Sequence, residues 1–174
     1  MTFMPNDEIL EEIGWNKQSA SKHAVFSTDT PKLKEYLPNY VDRAVDDIAA
    51  FYRNSHNIVS MNVGKMEDVV WEALKNCWLH GPNHDSPFTY GVFMGSKAIC
   101  HGFKDMGDYF KRPEIKEQFE KKEKITEFEK RPLCYGRGVN EFIFPRSDKI
   151  FVDEKEGILY CIQYLDNLRV LGPN

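Results

Sequence analysis

The sequence predicts an α+β fold, with helices mainly in the first half and an antiparallel or mixed sheet built largely from the C-terminal third. Two patterns say so: apolar residues recur at three- and four-residue intervals across 38–53 and 66–80, and strand-like apolar runs dominate from residue 139 onward. Helices fill the first half and strands the last third, which argues for α+β over a βαβ repeat. At 174 residues the chain is long enough for one cored domain, spanning 1–174, with 1–30 as a peripheral arm and 31–174 as the α+β core.

In the arm, "NDEILEEIG" is a short acidic helix stopped at Gly14, and "AVF" is a short strand. Val41, Ala44, Val45, Ile48, Ala49 and Tyr52 make one face of a helix running from Pro38 to Arg53. In the next helix, "MEDVVWEALKNCWLHG", the stripe is Val69, Val70, Ala73, Leu74, Cys77 and Trp78. Glu67 and Asp68 suit its positive N-terminus, and Gly81 with Pro82 stops it. "NIVSMNV", between these two helices, reads as a strand. After the loop "GPNHDSP", "FTYGVFMG" is a strand and "SKAICHGF" a short helix. Residues 111–131 hold eight basic and six acidic side chains with acid-first i, i+4 pairs, the mark of a solvated helix. Ile115 and Phe119 share a face that Ile125 and Phe128 leave, which predicts a break near Lys122. "VNEFIF" is then a strand, and "KIFVDEKEGILYCIQYL" is a hairpin turning at "DEKEG". Its second strand is apolar on both sides and is therefore central.

A net charge of −4 gives no strong nucleic-acid signature, and 41% hydrophobic with 13% aromatic residues exclude general disorder. No apolar run reaches the roughly 20 residues of a membrane span, and "MTFMPNDEILEE" lacks the basic and apolar segments of a signal peptide. A cytoplasmic location without membrane contact is expected. Cys77, Cys100, Cys134 and Cys161 include no CxxC pair, so free and mostly buried thiols are expected. "CWLHGPNH" offers Cys77, His80 and His84, with Cys100 and His101 as further ligands, but Cys77 belongs to an apolar stripe and no metal is expected. A nucleophilic thiol favours a helix N-terminus, and Cys77 sits at the opposite end of its helix. The residues do not set the oligomeric state.

One acid stands out in "GRGVNEFIFPRSDKIFV". Strand alternation puts Glu141 on one face with Val139 and Ile143, a setting that raises a carboxyl pKa and suits binding a hydroxyl or supporting an oxocarbenium-like centre. The alternative on residue types is an edge position paired with Arg137 or Arg146. "NEFIFPRSDKIFV" resembles the strand that carries the catalytic glutamate of mono- and poly(ADP-ribosyl)transferases of the poly(ADP-ribose) polymerase and diphtheria-toxin-like type. "WLHGPN" resembles that family's His-Gly pair, and "YGVFMGSKAIC" its strand with the nicotinamide-stacking tyrosine. The resemblance spans residues 78–144.

It implies NAD as substrate, with His80 and Gly81 orienting it, Tyr90 or Phe93 stacking on nicotinamide, and Glu141 as the catalytic group holding a ribose hydroxyl while the glycosidic bond breaks. The acceptor would be a protein side chain, a nucleic-acid base or water. The other expectation rests on aromatics such as Trp15, Tyr36 and Tyr40: a non-enzymatic module or inhibitor that binds another protein.

Overall fold

Residues 2–27, 33–80, 86–126 and 135–170 are described by the computed structural model. Along them run α1 (Asp7–Ile13), β1 (Ala20–Phe26), α2 (Leu33–His56), α3 (Val63–His80), β2 (Phe88–Met94), β3 (Ala98–Lys104) and α4 (Pro113–Glu120). The composite helix α5 follows: Tyr135–Gly138 are α-helical, Val139–Ile143 form a π turn, and Phe144–Arg146 return to α geometry. β4 (Lys149–Asp153), β5 (Ile158–Tyr164) and α6 (Leu165–Leu168) complete the order. None of the described helices is long and apolar enough to cross a membrane.

The five strands form one antiparallel sheet in the order β1-β2-β3-β5-β4, so the fold is α+β, and four of the strands lie in the second half of the chain. β5 is flanked on both sides, as its two-sided apolar pattern requires. Alternation along the strands divides their side chains between two cores. Phe88, Tyr90, Ile99, Phe103, Leu159 and Ile150 share one core with the apolar faces of α2 and α3. Phe93, Cys100, Tyr160 and Ile162 share the other with Ile9 and Ile13 of α1.

The N-terminal segment is therefore part of the core, a correction to the peripheral arm expected from its polar composition. Gly91 and Gly102 are partners across β2 and β3, and Phe3 seats on the bare patch they make. A Cβ on Gly102 would lie 2.6 Å from the Phe3 ring, so only glycine leaves room there. The ring also meets His23, Phe93 and Tyr160, and the Phe3 carbonyl accepts from His23 Nε2 at 2.9 Å. Glu12 fastens the helix, accepting from the Tyr164 hydroxyl and, at 2.8 Å, from Lys149 Nζ.

Local patterns failed where short apolar runs carry little period. "SKAICHGF" contributes the strand β3, and "NIVSMNV" keeps only an isolated bridge from Met61 to Arg169. The solvated helix is short: α4 ends at Glu120, and Lys122 adopts a left-handed φ of 52° at the expected break. α4 also guards the outer edge of β4. Glu120 Oε1 accepts from Val152 N at 3.0 Å, and Lys116 Nζ donates to Val152 O at 2.8 Å.

The Phe3 seat predicts a coupled pair of substitutions. Gly102→Ala should lower stability by about 1–3 kcal/mol in urea unfolding, through overpacking against the ring. In a Phe3→Ala background the same change should cost clearly less. Equal costs in both backgrounds would mean that the ring does not set the constraint.

Candidate functional site

The segment expected as a strand around Glu141 is helical. Val139, Ile143 and Phe144 are buried at four- and five-residue spacing, which the π turn accommodates, and Glu141 is left on the outside. Its side chain is 49% exposed and lies 3.0 Å from Arg137 Nε, one turn back. Glu141 is thus an exposed ion-pair partner, without the aliphatic surroundings expected of it. Pro145 has no N–H to offer the Glu141 carbonyl four residues earlier, and Arg146 Nη1 donates to that carbonyl instead, at 2.7 Å.

Tyr90 and Phe93 lie three residues apart on β2 and so point to opposite cores, and both are fully buried. Neither ring is open for a ligand to stack on, a correction for both. His80 is the last residue of α3; its side chain, and all of Gly81, lie outside the described residues. Of the three aromatics considered for partner binding, Trp15 and Tyr40 pack inward against Phe93 and Phe26, and Tyr36 is the exposed one. Cys100 and His101 face opposite sides of the sheet and cannot converge on one ion, while Cys134 and His84 fall outside the described residues. Burial pushes the Cys77 and Cys100 thiols well up, away from a reactive thiolate.

Tyr90 belongs to a buried relay. Its hydroxyl is 2.9 Å from His101 Nδ1, and His101 Nε2 is 3.1 Å from Gln163 Oε1. The Gln163 amide nitrogen donates to the carbonyls of Lys65 (3.1 Å) and Arg146 (2.9 Å), which identifies Oε1 as the acceptor. His101 therefore carries its proton on Nε2, and Tyr90 donates to Nδ1. Burial lowers the His101 pKa to about 4, although the bond to Gln163 opposes the shift.

α3 brings a different pair to the inside. Glu72 and Asn76, one turn apart on a shared face, are only 7% and 8% exposed. Lys75 Nζ holds Glu72 Oε1 at 2.7 Å, but Glu72 Oε2 and Asn76 Oδ1 are buried with no hydrogen-bond partner among the described residues, as are the hydroxyls of Thr89, Ser147 and Tyr160, each in a different part of the chain. An orphaned oxygen of this kind costs about 1–3 kcal/mol, so two on one face call for an explanation. The first turn of α5 packs onto Glu72: a side chain at Gly138 would collide with Glu72 Oε2, and glycine lets the backbone come against the carboxylate. Beyond β3, Asp105 Oδ1 accepts from Gly107 N at 2.8 Å, and its charge adds to the burial effect on Cys77, which places this loop beside the C-terminal half of α3.

Sequence reasoning missed Glu72 and Asn76. A signal was present, since each follows an apolar stripe position, Val69 or Ala73, by three residues and so borders the buried face.

The relay makes stability depend on pH. Neutral His101 is favoured in the folded chain, so between pH 6.5 and about 4 the unfolded chain binds the extra proton. Stability should be full above pH 6.5 and fall by up to about 3 kcal/mol on acidification to pH 4. His101→Phe should flatten that part of the profile in urea titrations; an unchanged slope would sink the assignment. Comparison with protein-family models and with curated proteins finds no match to this chain, so its function is read from these residues alone.

Proposed function

We propose that the chain binds a phosphate-bearing ligand together with a divalent cation, between α3 and the first turn of α5. The observation that carries this reading is the pair of buried, unpartnered oxygens one turn apart on α3, Glu72 Oε2 and Asn76 Oδ1, of which Glu72 Oε2 lies against Gly138 in the first turn of α5. The two sides of this place make opposite demands. Carboxylate and carboxamide oxygens want a cation, and hard oxygen donors suit magnesium or calcium. The N–H groups that open a helix want an anion, and phosphate is their common ligand.

A phosphate-bound divalent cation meets both demands at once. Magnesium in particular is held by one or two protein oxygens plus substrate phosphates, with water filling the rest of its shell. Asn76 and Glu72 would then hold the cation, and the backbone at the start of α5 the phosphate oxygens. Among the described residues, no three His, Cys, Asp or Glu side chains group to hold an ion by themselves, so the ligand's own oxygens would complete the shell. NAD, the substrate expected from the sequence, carries a pyrophosphate and falls within this ligand class. The exposed position of Glu141 gives no support to a catalytic role for that residue in ADP-ribosyl transfer.

Calorimetry with ATP, pyrophosphate and NAD, each with and without magnesium, tests the reading. Saturable binding that disappears on chelating the metal is expected for at least one of the three. Asn76→Leu should weaken it about tenfold or more. The same variant, freed of an orphaned acceptor, should be at least as stable as the native chain in urea. Glu141→Gln should leave binding unchanged. No heat with any of the three at millimolar concentration would overturn the proposal.

A further inference from the structure

We infer that Gln163 is a positioning residue for this site, the buried clasp that sets α3 against α5; the inference rests on the ligand site proposed above. Gln163 lies on β5, fully enclosed, and takes no part in either half of that site. Its two amide hydrogens go to different elements: one to the Lys65 carbonyl in the first turn of α3, the other to the Arg146 carbonyl at the end of α5. α3 carries Glu72 and Asn76, and α5 carries Gly138. One amide group therefore joins the two elements that face each other across the site.

A second link runs between the same elements, from Arg146 Nε to Asp68 Oδ2 at 2.6 Å, but both side chains are partly exposed. Exposed ion pairs hold geometry weakly. The amide clasp is stronger for a different reason: it is one enclosed group bonded to both elements, and removing it takes a donor from each carbonyl and leaves the buried His101 Nε2 proton without its partner. The two carbonyls fix which way the amide points, and the amide oxygen in turn takes the His101 Nε2 proton, so the sheet residues His101 and Tyr90 are joined to the clasp. This gives a buried polar chain in the middle of an apolar core a role that packing alone does not need.

The distinguishing experiment compares Gln163→Leu with Tyr90→Phe. Gln163→Leu removes both carbonyl bonds, whereas Tyr90→Phe loosens the relay and leaves them intact. Gln163→Leu should weaken binding about tenfold or more for whichever of magnesium–ATP, magnesium–pyrophosphate and magnesium–NAD the native chain takes, while Tyr90→Phe, though less stable than the native chain, should bind within about twofold of it. In ligand-free protein, Gln163→Leu should also speed amide hydrogen exchange across residues 139–146, and Tyr90→Phe should not. Gln163→Asn, too short to reach both carbonyls, serves if the leucine variant does not fold, with the same results expected. Native-like affinity and native-like exchange in the glutamine variants would overturn the inference, as would equal affinity losses in the Tyr90 and Gln163 variants. If the native chain binds none of ATP, pyrophosphate and NAD, the proposed site falls, and the exchange data alone then decide whether Gln163 is the clasp.

Discussion

The structure depends on one constraint: a five-stranded antiparallel sheet whose two faces are both too apolar to meet water. Each strand sends alternate side chains to opposite sides, so each face needs its own cover. α2 and α3 supply one. On the other side the sheet has α1 and the segment before it, and Phe3 reaches the middle strands because Gly91 and Gly102 leave a seat for it. The outer edge of β4 is closed by the Lys116 and Glu120 side chains of α4. The remaining elements fit around these requirements, and α5 lies where the end of β5 and the inner face of α3 leave room for it.

Buried polar atoms come in two kinds here, and the contrast is informative. The Tyr90–His101–Gln163 relay is satisfied at the bonds that bridge it, and it ties the sheet to two helices. Among the described residues, Glu72 Oε2 and Asn76 Oδ1 of α3 are left unpaired, and Glu72 lies where α3 meets α5. A folded chain tolerates such a cost most readily where something else completes the bonding. The satisfied chain holds the frame, and the unsatisfied pair is the basis of the proposed ligand site.

The stretch around Glu141 shows how far local pattern can be trusted. Val139, Glu141 and Ile143 alternate like one face of a strand, yet Val139 and Ile143 are also four residues apart, as on a helix. Six residues cannot separate these periods. Packing against α3 decides between them, because the helical form buries Val139, Ile143 and Phe144 together and turns the charge outward to Arg137. "SKAICHGF" has the same ambiguity, and its place between β2 and β5 makes it a strand.

By itself the sequence determined the long, strongly periodic elements: the stripes of α2 and α3, the acidic helix ending at Gly14, the strand at Phe88–Met94, the hairpin of β4 and β5 and the central place of β5. Those follow from many residues agreeing on one period. Tertiary structure alone decided which side chains are enclosed and which meet. It buried Tyr90 and Phe93, exposed Glu141, and drew the N-terminal arm into the core. It also brought Glu72 against Gly138 from far along the chain. Burial and pairing depend on neighbours distant in sequence, so a residue's type and local spacing fix its face but not what covers that face.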